Sequence, residues 1–218
     1  MYYLRLNNWF SKRKSLQLNF LNKRSKPFFL LLLYYFGYEK KILFLTLKTM
    51  SLVLLFIVLD LNKNSYNNDS FILFYLLILL VHSVFPFLAV EFLEKRFSFY
   101  RNLPFRLSQH AMVYLVTYLI ILIPEFLYLL LNGWGIIPIA TIFSFYGVAV
   151  ATLYLLTSIQ YSDAMNRNEF VKAVFVLFFV TSFALHAQQF LLWMIIQFII
   201  AIILFWNGFY KYENSENG

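Results

Sequence analysis

The residue of this sequence best placed to do chemistry is Glu125, an acidic group within an apolar run at residues 111–131. At helical spacing it shares a face with three tyrosines, Tyr114, Tyr118 and Tyr128. A carboxyl group in hydrocarbon costs on the order of 3 kcal/mol, so we expect it to face other helices or a wet cavity. Two roles are open for Glu125: a polar site that lines a translocation route, or a carboxyl group bonded to a neighbouring helix.

Three further polar residues are candidates for the same intramembrane polar site, together with Tyr118: His82 and Gln197 in apolar runs, and His186 in an outer turn or re-entrant bend at residues 186–189. His82 lies close to Pro86, which removes a backbone hydrogen bond and frees a carbonyl group near the histidine. We therefore expect His82 to be a structural residue, with the handling of a proton or a ligand as the alternative.

Motifs for catalysis and nucleotide binding are missing from the sequence. Its six glycines are too scattered to form a phosphate-binding loop of the Walker type. The three histidines lack the spacing of metal ligands, and cysteine is absent. We expect no enzyme activity, no metal and no cofactor in this chain. An integral lipid-modifying enzyme would require Glu125 and the histidines to converge.

The composition predicts the class of protein. Of the 218 residues 61% are hydrophobic and 13% are charged, and the mean hydropathy of +0.69 is too high for a soluble domain. We expect an all-α polytopic membrane helix bundle with one transmembrane domain at residues 42–208. Six transmembrane helices are predicted at residues 42–61, 71–90, 111–131, 136–159, 170–185 and 190–206, before a polar tail at 209–218. Lys48 lies about two turns inside the first helix, and we expect it to snorkel to the lipid headgroups.

The distribution of basic residues predicts the orientation of the bundle. Ten of the 18 lysines and arginines precede Ser51, and residues 91–109 hold four more. Only Lys63 falls on the opposite side of the predicted bundle. Because basic residues near span ends stay in the cytoplasm, we expect both termini to be cytoplasmic. The net charge of +8 therefore points to topology and lipid headgroups, not to nucleic acid.

The basic N-terminal segment, residues 1–41, ends in an apolar stretch between Pro27 and Gly37. The stretch from Phe28 to Phe36 is too short to cross about 30 Å of hydrocarbon. We expect an interfacial elbow helix with its aromatic side chains at headgroup depth, or alternatively a flexible basic tail. The excess of Phe, Leu, Asn and Lys suggests an AT-rich genome, and hence a bacterial cytoplasmic (inner) membrane.

The fourth apolar run carries small residues at helical spacing. They are Ala140, Ser144, Gly147, Ala151 and Ser158. Small side chains on one stripe let two helix backbones approach closely. We expect this stripe to be a packing face, within one chain or between two copies.

The segment from residue 91 to residue 109 combines acidic, basic and aromatic residues between the second and third predicted spans. Glu91 and Glu94 are followed by basic and aromatic residues, and then by Leu103 and Pro104. This order resembles the cytoplasmic coupling helix in six-span permease subunits of ATP-binding-cassette (ABC) exporters of the type-2 class. The chain departs from that family at residues 97–99, where Phe-Ser-Phe replaces the usual Gly-Thr, and in the few polar residues between its fifth and sixth spans.

The resemblance implies a permease that is moved by a separate cytosolic ATPase, with ATP and magnesium bound by that partner. It also implies a second permease copy or paralogue and an apolar or amphiphilic substrate. The docking residues would be Glu94, Lys95, Arg96, Phe97, Tyr100, Arg101, Pro104 and Arg106. Aromatic side chains would anchor in a groove of the ATPase, and arginines would form charge pairs.

Two alternatives to this reading stay open. The segment at 91–109 has the composition of a helix that rests on the inner leaflet without any partner. The chain as a whole could be a non-catalytic scaffold subunit of a larger membrane complex, because the polar lining available for a route is thin.

Overall fold

The computed structural model describes residues 29–63, 67–96, 106–162 and 166–209. All regular secondary structure within these ranges is helical. Six helical stretches are long and apolar enough to span a membrane, which confirms the all-α polytopic bundle. They are span 1 (Lys41–Leu61), span 2 (Asn68–Glu94), span 3 (Leu107–Asn132), span 4 (Ile139–Tyr161), span 5 (Arg167–His186) and span 6 (Phe190–Gly208).

Spans 2 and 3 are each interrupted by one turn. Span 2 runs as Asn68–His82, Val84–Glu91 and a π-helix at Phe92–Arg96, whereas span 3 runs as Leu107–Ile121 and Ile123–Asn132. Pro86 and Pro124 follow the two turns closely, and each lacks the N–H that a regular helix would use. The interruptions therefore lie beside His82 and Glu125 and set the directions in which these two side chains point.

Asparagine side chains start two of the spans. The side chain of Asn67 accepts hydrogen bonds from the backbone N–H groups of Asp69 and Ser70, at 3.0 and 3.3 Å. Asn166 and Glu169 form a reciprocal capping box at the start of span 5. Both caps satisfy N–H groups that the first helical turn leaves without partners.

The predicted elbow is a short helix, Phe29–Tyr34, that continues as a π-helix, Tyr35–Glu39. Its side chains Leu32, Tyr35 and Phe36 are buried. The Tyr35 ring stacks on Phe92 with centroids 4.0 Å apart, and the Phe36 ring meets Phe85 edge-on at 5.2 Å. This segment therefore packs Tyr35 and Phe36 against span 2, while other residues of the segment face outward.

Span 4 forms the centre of the bundle and packs closely on span 6. The side chain of Met194 fills the space beside Gly147, so a Cβ atom at this position would require the methionine to move where these two helices meet. Along the small-residue stripe Ala151 and Ser158 are buried, Ser144 and Gly147 are half-buried and Ala140 is exposed. The stripe therefore packs against span 6 of the same chain at Gly147 and is exposed on the bundle surface near Ala140.

Candidate functional site

The strongest polar feature of the bundle is a buried ion pair between spans 1 and 3. The Lys48 ammonium donates to both carboxylate oxygens of Glu125, with Nζ 2.9 Å from Oε1 and 2.7 Å from Oε2. Only 8% of the Lys48 side chain and 7% of the Glu125 side chain are exposed. The expectation that Lys48 snorkels to the headgroups is wrong, because a carboxylate inside the bundle is within reach and compensates its charge.

His82 of span 2 completes the contact with this pair. Its Nε2 atom lies 3.0 Å from Lys48 Nζ and 3.2 Å from Glu125 Oε1. Its Nδ1 atom lies 2.8 Å from the carbonyl oxygen of Ile78, one helical turn earlier. A carbonyl oxygen can only accept, so Nδ1 carries a hydrogen and Nε2 is the atom that faces the ion pair.

Ser51 and a backbone carbonyl supply the remaining contacts. The Ser51 hydroxyl lies 2.5 Å from Glu125 Oε1 and 2.9 Å from the Lys48 carbonyl oxygen. Lys48 Nζ also donates to the carbonyl oxygen of Ile121, just before the turn in span 3. We call Lys48, Ser51, His82 and Glu125 the charged cluster. It connects spans 1, 2 and 3.

Local sequence explains why these side chains meet. Lys48 and Ser51 are three residues apart on span 1 and therefore point to the same side of that helix. His82 is the last residue before the break in span 2, and Glu125 follows the break in span 3. Where a helix is interrupted, backbone carbonyl groups become accessible to a side-chain donor, as the Ile121 carbonyl does to Lys48.

A small cavity of about 30 Å³ adjoins the cluster. His82 and Glu125 line it together with apolar and aromatic residues, and the surface that the cavity exposes is apolar. Two tyrosines of that wall donate their hydroxyl groups to backbone carbonyls: Tyr75 to Phe145 at 2.7 Å and Tyr146 to Leu119 at 2.8 Å. The charged cluster therefore adjoins an apolar cavity, and its polar atoms face one another instead of the cavity.

The other polar residues predicted for this site lie in separate networks. Tyr118 shares a hydrogen bond of 2.5 Å with Thr157 on span 4, so it faces a different neighbour from Glu125. Gln197 bonds to Thr152, with its amide nitrogen 3.1 Å from the hydroxyl oxygen. His186 is exposed, with Nδ1 2.8 Å from the Ser182 carbonyl oxygen. Of the predicted polar site, the structure brings together His82 and Glu125 only.

A lipid-modifying enzyme would require Glu125 and the histidines to converge. Among the described histidines, only His82 lies beside Glu125. His110 lies 15 residues before Glu125 on span 3, which corresponds to about 22 Å along a helix. His186 ends span 5 beside Asp69, at the opposite end of span 2 from the charged residues near Glu94. Among the described residues no group of three or more His, Asp and Glu side chains could hold a metal ion.

A second polar network ties together the ends of spans 2, 3 and 4. The Tyr161 hydroxyl donates to Glu94 Oε1 at 2.8 Å and lies 2.5 Å from the Tyr114 hydroxyl. Tyr114 and Tyr161 are both buried. Glu94, one of the predicted docking residues, has its carboxylate against span 4, at the edge of the segment that carries the other docking residues.

The remaining docking residues are described only in part. Lys95 and Arg96 belong to the π-helix that ends span 2, and Arg106 precedes span 3, where its backbone N–H donates to Gln109 at 2.8 Å. Phe97, Tyr100, Arg101 and Pro104 lie outside the described residues.

Sequence reasoning missed the partnership of Lys48 and Ser51 with Glu125. A signal for it existed, because Lys48 and Glu125 are charges of opposite sign that lie away from the ends of two long apolar helices. Two such charges lower the free-energy cost of lying in hydrocarbon most effectively when they pair with each other.

Comparisons with protein-family models, curated proteins and solved structures found no match to this chain. Its six apolar helices are those of a multi-pass membrane protein. Function is therefore inferred from its own residues, above all from the two polar networks within the spans.

Proposed function

We propose that this chain is the membrane-spanning permease subunit of an ABC-type exporter in a bacterial cytoplasmic membrane. A separate cytosolic ATPase, which binds ATP and magnesium, docks on the segment at residues 91–109 and moves it. The observation that carries the proposal is the hydrogen-bonded contact of Glu94 with Tyr161, at the point where this segment leaves span 2.

The contact of Glu94 gives the segment a mechanical connection to the bundle. Glu94 is bonded to Tyr161 on span 4, and Tyr161 is bonded in turn to Tyr114 on span 3. Hydrogen bonds shielded from water are stronger than exposed ones, so a displacement of Glu94 would be transmitted to both neighbouring spans. A helix that simply rests on the inner leaflet has no need of this connection.

The π-helix at Phe92–Arg96 supports the same reading. Wide helical turns of this kind are rare and frequently occur at functional sites. Phe92 stacks on Tyr35 of the elbow, so movement at this end of span 2 would also reach the elbow. The segment at 91–109 thus acts on spans 3 and 4 and on the elbow together.

The substrate in this proposal is apolar or amphiphilic, and its route opens between this chain and a second permease copy or paralogue. The cavity beside the charged cluster, at about 30 Å³, is too small for any substrate larger than water. A route within the closed bundle would therefore require the spans to move apart, which is the work that the ATPase supplies.

A non-catalytic scaffold subunit is the second candidate. It is favoured by one observation: the buried polar groups of the charged cluster bond to one another and do not line an open route. Such a subunit would use its apolar outer surface and the exposed end of the small-residue stripe to hold a larger complex together.

Photo-crosslinking from position 101 separates the two candidates. A crosslinking amino acid replaces Arg101 in the full chain, expressed in its native host, and the same replacement at Lys63 serves as the matched control on the predicted outer side. The exporter proposal expects a crosslink from position 101 to a protein with a nucleotide-binding motif, and none from position 63. Crosslinks from position 101 to lipid or to this chain alone would contradict it and favour the scaffold.

A second measurement tests the connection through Glu94. With the ATPase bound, Tyr161→Phe removes the hydroxyl that joins Glu94 to span 3, and ATP hydrolysis should no longer respond to substrate. Tyr146→Phe, which removes a hydroxyl bonded to a backbone carbonyl elsewhere in the bundle, is the control and should leave the response intact. An unchanged response in Tyr161→Phe would refute the role given to this contact.

A further inference from the structure

Three phenylalanine rings lie between the charged cluster and the end of the bundle where span 1 begins. Phe44 lies one helical turn before Lys48 in span 1, and Phe85 lies three residues after His82 in span 2. The centroids of these two rings are 5.8 Å apart, and Lys48 Nζ lies 5.9 Å from each centroid. The Phe36 ring of the elbow meets Phe85 edge-on at 5.2 Å. We call Phe36, Phe44 and Phe85 the aromatic floor.

The aromatic floor closes the charged cluster at this end of the bundle. Phe36 and Phe85 are both fully buried, and so is His82, whose ring centroid lies 5.5 Å from that of Phe85. Aromatic faces also attract a cation, so Phe44 and Phe85 stabilise the Lys48 ammonium as well as keeping water away from it. The cluster is therefore covered here by side chains of two spans and by one side chain of the elbow.

The elbow is the part of this cover that does not belong to a span. Two aromatic contacts attach it to span 2, one at Phe36 and one between Tyr35 and Phe92, whose ring centroids are 4.0 Å apart. It joins span 1 through Lys40, whose backbone angles of φ −104° and ψ 27° are not helical, and hinges commonly lie at such ends of elements. Among the described residues a Cβ atom at exposed Gly37 would meet nothing within 4 Å, so the outward side of the elbow has room to move.

We propose that the elbow is a lid that controls access to the charged cluster from the end of the bundle where span 1 begins. In its closed position it keeps water away from Lys48 and Glu125, so their attraction is strong and holds spans 1 and 3 together. When Phe36 lifts from Phe85, water reaches the two charges, hydrates them and weakens this connection. The lid thus converts a movement of the elbow into a change in how firmly spans 1 and 3 are joined.

The contact of Tyr35 extends this device to the end of span 2. Phe92 lies ten residues beyond His82, about 15 Å along a helix, in the π-helix that ends the span. A displacement of Phe92 would move Tyr35 and, with it, the adjacent Phe36. The lid is a property of this chain alone and requires no ATPase, so its failure in the following test would leave the proposed function standing.

Thiol labelling of the full chain in lipid nanodiscs tests the lid, because both ends of the bundle are open to the reagent there. The sequence has no cysteine, so Ser51→Cys places a single thiol within the cluster. The probe is a charged methanethiosulfonate reagent, and mass spectrometry measures the labelling rate. With the native elbow we expect slow labelling. Phe36→Ala should raise the rate about tenfold or more, because the loss of a buried aromatic ring favours the open position.

Tyr35→Ala distinguishes a lid from a local gap in the packing. A lid released at Phe92 should also open at the cluster, so this change should raise the labelling rate although its contact lies about 15 Å away along span 2. Phe170→Ala is the matched control: this buried ring packs on Phe87 of the same span at 5.3 Å, and its loss should leave the rate unchanged. Faster labelling in Phe36→Ala alone, in all three variants equally or in none of them would overturn the proposal.

A second probe keeps the test decisive if Ser51→Cys does not fold. Ile121→Cys also replaces a buried side chain, but it leaves the four cluster side chains in place and keeps the backbone carbonyl that binds Lys48. Labelling at this position should follow the same order, with both elbow variants faster than the native chain. If Phe36→Ala does not fold, Tyr35→Ala is compared with the Phe170→Ala control, and equal rates in these two would refute the lid.

Discussion

Two lysine–carboxylate pairs in this chain have the same separation of 2.7 Å between charged atoms, but they lie in different surroundings. Lys48 and Glu125 are 8% and 7% exposed and connect two spans, whereas Lys63 and Asp60 are 64% and 56% exposed at the end of span 1. Water screens the exposed pair and hydrates either partner if the other is lost. Water cannot hydrate a partner of the buried pair in this way. Losing one partner should therefore cost much more stability in the buried pair than in the exposed pair, although the contact distance is the same.

Removing one partner of the buried pair should produce the largest effect. Glu125→Leu leaves the Lys48 ammonium unpaired inside the bundle, and we expect a loss of about 3–5 kcal/mol in the free energy of unfolding. Denaturant unfolding in mixed micelles measures it, with Asp60→Leu as the matched change in the exposed pair. A loss below that of Asp60→Leu would contradict the comparison.

Replacing both partners should recover much of that loss. In Lys48→Met with Glu125→Leu no buried charge is left, so we expect a coupling energy of about 2–3 kcal/mol between the two sites. The double-mutant cycle is completed with Lys48→Met alone in the same unfolding assay. Additive effects of the two single changes would show that the residues do not act as a pair.

The Tyr161 hydroxyl provides the same comparison with a neutral donor in place of the lysine ammonium. Tyr161→Phe removes a buried donor to the half-buried Glu94, and we expect a loss of about 1–3 kcal/mol because the Glu94 carboxylate and the buried Tyr114 hydroxyl both lose this partner. Tyr146→Phe, at a half-buried site, should cost about 1 kcal/mol. Equal losses in the two variants would argue that burial does not set the strength of these contacts.

The smallest effect is expected at the exposed pair. The hydrogen bond to Asp60, followed by the charge of Asp60, raises the pKa of Lys63. Any stabilisation from this pair is therefore present below the pKa of unfolded lysine and is lost as the pH rises through the raised pKa. Lys63→Gln should leave the unfolding transition nearly unchanged at neutral pH, and added salt should remove any difference that remains. A salt-independent loss would mean that Lys63 has a further partner.

The sequence predicts the fold well because each span is a long apolar run, and hydropathy alone identifies such runs. It also predicts Glu125 as an intramembrane residue. It does not predict the partner of Glu125, since a contact between residues 77 positions apart depends on how span 1 is rotated against span 3. A lysine near a span end can also snorkel, so Lys48 by itself is ambiguous.

The face shared by Glu125 and Tyr118 failed as a prediction for a specific physical reason. Helical spacing assumes an unbroken helix, and span 3 is interrupted at Leu122, between the two residues. After the interruption Glu125 points to span 1, whereas Tyr118 bonds to span 4. Pro124 indicates this in the sequence, because a proline can interrupt a helix and the helical spacing of residues before it need not continue after it.

The pairing of Lys48 with Glu125 also constrains how the chain is made. During synthesis Lys48 enters the membrane long before Glu125 has left the ribosome, and an unpaired lysine at a span centre costs about 3 kcal/mol on insertion scales. In that interval the lysine side chain has only the headgroups or the insertion machinery to solvate it. We therefore expect the first three spans to reach their final arrangement only after span 3 is inserted, when Glu125 comes within reach of Lys48.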